Sequence, residues 1–173
     1  MVFTLALLLY VIVQFIAFLF VLVGTPIDMF RPLNGSRFGN TLCITLWGSK
    51  NECYSSRIDV SLEQLWVGCP DRRSLFKTAQ VFAIISICVY GIAAVLGFIA
   101  LCCCSCLHWV CLALNLTGAI TLCVVWASMV VVYEKDDNRR TRQSRGSVYG
   151  IGFAMLVIGW CLDIINIALL LLP

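Results

Sequence analysis

Four apolar runs, each long enough to cross a bilayer, constrain this sequence more than any motif in it. Met1–Val23 has only Thr4 and Gln14 as polar interruptions, and Ala79–Leu101 has only Gln80 and Ser86. Leu107–Tyr133 carries no charge beyond what His108 brings at its edge, and Tyr149–Leu172 holds a single acid, Asp163. A helix rises about 1.5 Å per residue, so a hydrocarbon core of about 30 Å needs roughly 20 such residues. Inside lipid the backbone must satisfy its own hydrogen bonds, which makes these runs helices and not open strands. The fold class that follows is an all-α membrane protein, a four-transmembrane-helix bundle forming a single tetraspan domain over residues 1–173. Its helices are expected over about 1–23, 79–101, 107–133 and 149–172. The first run lacks a basic leading segment and outlasts a typical signal-peptide core, so an uncleaved span is favoured over a cleaved leader.

Composition removes the soluble alternatives. Only 12% of the residues are charged, where a soluble domain carries about 25%. A net charge of +3 with no basic strip gives nucleic acid nothing to bind. One histidine at a membrane edge, with no Ser/His/Asp set, paired carboxylates or phosphate loop, leaves no machinery for an enzyme. No cofactor is expected.

Three connections remain: the 55-residue Gly24–Thr78, the short Cys102–Cys106, and the polar Glu134–Ser147. With four spans, the first and third share one side of the membrane, and the short loop and both termini share the other. All twelve Lys and Arg fall in the two same-side loops, and the positive-inside rule taken alone would make those loops cytoplasmic. Against it stand Cys43 and Cys53, spaced for a disulfide in an oxidising compartment, and the glycosylation sequon at Asn34. Composition therefore leaves the orientation open.

The stretch "CITLWGSKNEC", Cys43 to Cys53, resembles the signature of the amastins, surface glycoproteins of kinetoplastid parasites. That signature runs Cys, aliphatic or aromatic, Thr/Ser, Leu/Phe, Trp/Phe, Gly, any, Lys/Arg/Gln, any, Asp/Glu/Asn/Thr, Cys. It is met at Cys43, Ile44, Thr45, Leu46, Trp47, Gly48, Lys50, Glu52 and Cys53. The segments "LALNLTGAITLCVVWASMVVVY" and "LDIINIALLLLP" resemble amastin membrane segments too. The resemblance implies both termini in the cytoplasm and both polar loops, 24–78 and 134–147, outside at the plasma membrane. It also implies an architecture similar to the claudins, although Trp47 lies between the cysteines here and not before them. Fold likeness does not carry a claudin's function across.

Thr41–Trp47 is β-prone and Gly48–Asn51 is turn material. With Gly48 at the centre of the turn, Cys43 and Cys53 fall opposite one another, so a hairpin stapled by Cys43–Cys53 is expected. It would form a small disulfide-stapled, β-containing extracellular domain. Trp47 is read as packing under the hairpin in preference to contacting a ligand. Cys69 is the odd cysteine, either free or paired between molecules. A second sequon, at Asn115, lies inside a span and is expected to be inert.

On the opposite side, Cys102, Cys103, Cys104 and Cys106 are candidates for palmitoylation, with plain apolar filling as an equal alternative. A zinc site with His108 ranks well behind, because adjacent thiols lack the CxxC spacing of a tetrahedral metal. Asp163, with Asn166 one turn on, must be paired, protonated or wetted within the membrane. Gln14, Asn115 and Ser128 in other helices are candidate partners, and interhelical glue is preferred to an ion or proton path. Gly91, Ala94, Gly97, Gly152, Ala154 and Gly159 are expected to let helices approach closely.

The functional expectation is a non-enzymatic, glycosylated parasite surface protein. The resemblance implies outer loops that meet membrane lipids or host or parasite membrane proteins in the intracellular stage, with a homo-oligomer as one option. The alternative is an ion or proton channel or transporter using Asp163.

Overall fold

A computed structural model of the protein describes residues 2–32, 40–55, 57–102, 107–137 and 147–171. Asn34, Cys103, Cys104 and Cys106 lie outside these residues, so the glycosylation expectation and most of the palmitoylation expectation fall outside them too.

Four long helices carry the chain: α1 (Val2–Gly24), α3 (Pro70–Cys102), α4 (Leu107–Asp137) and α5 (Ile151–Leu171). Each contains a segment long and apolar enough to span a membrane. Between α1 and α3 run β1 (Asp28–Pro32), β2 (Cys43–Thr45), β3 (Gly48–Lys50), β4 (Val60–Ser61) and the single turn α2 (Leu62–Leu65), while β5 (Ser147–Tyr149) precedes α5. The helices form a closed ring in which α1 packs on α3 and α5, and α4 packs on α3 and α5.

The bundle has an apolar core, and it also turns apolar side chains outward and keeps its polar ones inside. Ile12, Phe15, Val81, Ile92, Phe98, Ile120 and Ile165 face outward, while Gln14, Ser86, Asn115, Thr121, Ser128, Asp163 and Asn166 are buried. That distribution follows from the solvent, since lipid accepts aliphatic side chains and gives polar ones no partner. Small residues set the close approaches expected of them. A Cβ at Gly97 would lie 3.0 Å from the Tyr10 ring, and one at Gly159 would lie 3.2 Å from Val21. At the upper end Gly24 of α1 and Gly152 of α5 pack backbone to backbone.

Two boundaries differ from the sequence expectation. α3 begins at Pro70, nine residues before the apolar run, and α4 continues to Asp137. Hydropathy marks where lipid is, not where a helix ends. Pro70 occupies a first-turn position, where its missing N–H leaves no intrahelical bond unmade. The 33 residues of α3 span about 50 Å, so its first turns stand clear of a hydrocarbon core of about 30 Å.

The strands form one antiparallel sheet in the order β4-β3-β2-β1-β5. β1 is its hinge, pairing with β2 on one side and with β5 on the other, Phe30 opposite Tyr149 and Arg31 opposite Val148. Both polar connections therefore meet in a single structure at one end of the bundle. Its underside joins the main apolar core through Met29, Phe30, Leu46, Leu62 and Phe76.

Candidate extramembrane site

The signature hairpin has a tighter turn than the sequence reading gave it. Cys43 pairs with Lys50, Ile44 with Ser49 and Thr45 with Gly48, which leaves Leu46–Trp47 as a two-residue turn. Gly48 begins β3 and is not the turn centre, so Cys53 lies beyond the hairpin and does not face Cys43 across it. The staple forms all the same. The chain bends through Asn51–Tyr54 and returns Cys53 to Cys43, with Cα atoms 5.5 Å apart and a disulfide joining them. This separation suits a disulfide.

Most signature positions have an identifiable job. The Thr45 hydroxyl donates to the Gly48 carbonyl (2.9 Å) and accepts from the Trp47 N–H (3.2 Å), closing the turn from within. Gly48 lies flush against β4, where any Cβ would collide with the Val60 carbonyl and Ile58. Leu46 is fully buried among the core residues, Trp47 packs half-buried beside it, and the Gln80 amide of α3 donates to the Leu46 carbonyl at 3.0 Å. The hairpin tip thus plugs into the top of the bundle. Lys50 Nζ donates to the Ser55 carbonyl (2.9 Å), which holds the segment that carries Cys53. Ile44 is half-buried against the core and Glu52 is exposed.

A second lock escaped the sequence reading. Asp28 and Arg31, both in β1, form a buried ion pair with Nε–Oδ2 2.6 Å and a second contact of 3.3 Å from Nη2 to Oδ1. Asp28 also accepts from the Ile151 N–H at 3.3 Å, while the Gly150 N–H donates to the Met29 carbonyl at 2.8 Å. The carboxylate therefore sits at the N-terminus of α5, where unpaired N–H groups and the helix dipole favour an anion. A side chain at Gly150 would run into the Asp28 carboxylate and backbone. Hydrogen bonding of the Arg31 guanidinium to the Asp28 carboxylate, above all, raises the Arg31 pKa. The available signal was an acid–base pair next to the end of a span, and a "YGIGF" segment with no room for Cβ atoms. Neither is informative until β1 is known to lie against α5.

Phe30, Tyr133, Tyr149 and Phe153 extend this joint as a chain of ring contacts at centroid distances of 4.3–6.1 Å. On the other flank, Glu63 of α2 bonds to Arg73 (2.6 Å) and Lys77 (3.1 Å) on the protruding turns of α3. Hydrogen bonding to Lys77, then to Arg73, lowers the Glu63 pKa. Cys69, in the turn before α3, carries a free, partly exposed thiol.

Within the bundle the expected partners of Asp163 are not the observed one. The Tyr90 hydroxyl of α3 donates to Asp163 Oδ2 at 2.8 Å. Gln14 accepts from Asn166 (2.6 Å), Asn115 donates to the Tyr10 hydroxyl (3.0 Å), and Ser128 bonds to the Val124 carbonyl of its own helix. Tyr90 was passed over because its ring reads as apolar, and only the helix crossing turns its hydroxyl onto the acid. Cys102 is the last residue of α3, and among the described residues no group of three His, Cys, Asp or Glu is placed to hold a metal.

Four spanning helices topped by one disulfide-stapled sheet define a multi-pass membrane protein whose two polar connections fold together. The amastin surface glycoprotein family model matches residues 15–170, and the chain belongs to that family. No curated protein matches the chain.

Proposed function

We propose that the protein is a non-enzymatic surface membrane protein that displays its stapled sheet outside the cell. There the sheet contacts membranes, lipids or partner proteins of host or parasite, in the intracellular stage. The observation that carries this reading is the fusion of both polar connections into one sheet, locked covalently at Cys43–Cys53 and ionically at Asp28–Arg31. A disulfide is maintained in the secretory lumen and outside the cell and is reduced in the cytosol. That supports loops outside and termini inside, against the clustering of Lys and Arg. Tyr54, Ile58 and Val67 are exposed on this part of the chain, Val67 by 80%, and give it apolar contact area.

Orientation is tested by protease protection on intact and permeabilised cells, with an epitope tag at residue 56. Cleavage in intact cells is expected, and cleavage confined to permeabilised cells would overturn the outside placement. Contact is tested by photo-crosslinking from Tyr54 and Val67 on intact cells. Lipid or protein adducts at these positions are expected, and their absence would remove the contact role.

A further inference from the structure

The interior of the bundle holds a circuit of neighbouring polar residues, joined by two hydrogen bonds, helical turns and one close approach, that the proposed surface role does not use. Asn115 of α4 donates to Tyr10 of α1 at 3.0 Å, and Tyr10 lies one turn from Gln14 on the same helix. Gln14 accepts from Asn166 of α5 at 2.6 Å, and Asn166 lies one turn from Asp163. Asp163 lies against Gly118 of α4, where a Cβ would be 3.3 Å from Oδ2, and Gly118 is one turn from Asn115. The circuit returns to its start through three helices, so its members surround one small region of the bundle.

Three oxygens in this circuit have no hydrogen-bond partner: Asn115 Oδ1, Asp163 Oδ1 and Asn166 Oδ1. Their residues are 1%, 0% and 0% exposed. All three are acceptors. Both amide protons of Asn115 are committed, to Tyr10 and to the Cys111 carbonyl, and the Tyr90 hydroxyl is committed to the other oxygen of Asp163. Buried polar atoms without partners are rare and costly, and more so in lipid. A surplus consisting only of oxygens calls for an electropositive ligand.

We propose that Asn115, Asp163 and Asn166 form an intramembrane binding site for a monovalent cation, with Na⁺ as the hard ion of fitting charge. Hard cations take carboxylate and amide carbonyl oxygens as ligands. One ion satisfies all three oxygens at once, whereas a single proton on Asp163 pairs Oδ1 with one amide oxygen and leaves the other amide oxygen bare. One carboxylate balances one positive charge, and a divalent ion would leave a net charge within hydrocarbon. Gly118 keeps the region open, because a side chain there would press on the Tyr90 ring and the Asp163 carboxylate. Asn115 is eight residues from the start of α4 and Asp163 eight from the end of α5, which places the site about 12 Å from the short-loop end of the bundle.

The test is thermal unfolding of the full chain in detergent micelles, followed by tryptophan fluorescence. NaCl is titrated at constant ionic strength against choline chloride, with KCl as a size control. A rise in Tm that grows with the logarithm of Na⁺ concentration is expected, reaching about 3–5 °C at roughly ten times the dissociation constant. The rise should be smaller in KCl, absent in Asp163→Asn, and shifted to higher Na⁺ concentration in Asn115→Leu, which removes one ligand and keeps the charge. Equal Tm values in NaCl and choline chloride for the unsubstituted chain would overturn the site, whichever variants fold. An undiminished Na⁺ response in Asp163→Asn would overturn it as well.

Discussion

The extramembrane sheet and the interior of the bundle both bury polar groups, and they satisfy them by different rules. In the sheet region a side chain mostly meets backbone: Thr45 to the Gly48 carbonyl, Lys50 to the Ser55 carbonyl, the Tyr54 N–H to Asn40, and Gln80 to the Leu46 carbonyl. In the bundle the contacts between helices mostly join side chain to side chain: Tyr90 with Asp163, Asn166 with Gln14, Asn115 with Tyr10, and Ser86 with Thr121. The cause is the state of the backbone. A helix spends its N–H and most of its C=O capacity on itself, so a side chain that reaches across to another helix mostly meets a side chain there, whereas turns and short strands leave backbone groups in need of partners. The sheet adds two locks, a disulfide and a buried ion pair, that have no counterpart among the described residues of the bundle.

If that contrast is right, removing a lock should do more damage than removing an interhelical bond. Asp28→Ala takes the carboxylate from Arg31, which is 4% exposed, and from the start of α5. A loss of about 3–5 kcal/mol is expected from leaving a buried charge uncompensated. Denaturant unfolding in micelles measures it, and a loss under about 1 kcal/mol would show that water or a neighbour replaces the carboxylate. Cys43→Ser should lose about 2–3 kcal/mol, the chain-entropy value for so small a loop. It should also release the Cys53 segment to protease, and unchanged proteolysis would reduce the staple to an ornament of an already rigid loop.

Tyr90→Phe belongs to the other side of the comparison. It removes only the hydroxyl that donates to Asp163, and hydrogen bonds between membrane helices average about 0.6 kcal/mol with a ceiling near 1.7. A loss above that of Cys43→Ser would reverse the ranking and make the interior the main lock. The smallest effect belongs to Glu63. Its pairing with Lys77 and Arg73 lowers its folded pKa, so the stabilisation is present above its unfolded value of about 4.3 and fades as pH falls through the lower folded value. Because the group is fully exposed, the slope of stability against pH in this acidic window should be slight and should flatten in Glu63→Gln. A steep acid transition abolished by Glu63→Gln would mean that the pair is shielded from solvent in the membrane-bound protein.

How far the sequence could be read depended on the range of the interaction. The four spans were legible because each is a property of about 20 consecutive residues and the thickness of lipid. The Cys43–Cys53 staple was legible because its ends are close in the chain, yet its register was not. Centring the turn on Gly48 assumed that glycine must make the turn, whereas Thr45 closes a turn at Leu46–Trp47 and Gly48 is needed for its close approach to Val60. The polar residues of the spans were identified singly, but their partners were misassigned. Gln14, Asn115 and Ser128 are equally polar candidates for Asp163 on paper, and Tyr90 wins by the way α3 and α5 cross.

The sequence alone determined the solvent, the number of spans, the side shared by the two polar connections and the cysteine pair, all set by local composition and short separations. Only the tertiary structure decided that β1 bridges β2 and β5, that Asp28 both pairs with Arg31 and seats the N-terminus of α5, and that Asn115, Asp163 and Asn166 each keep a buried oxygen without a partner. These features depend on residues as much as 152 positions apart, as in Gln14 with Asn166. Contacts of that separation exist only after the helices have chosen their neighbours, and that choice is made by packing in lipid across all four helices together.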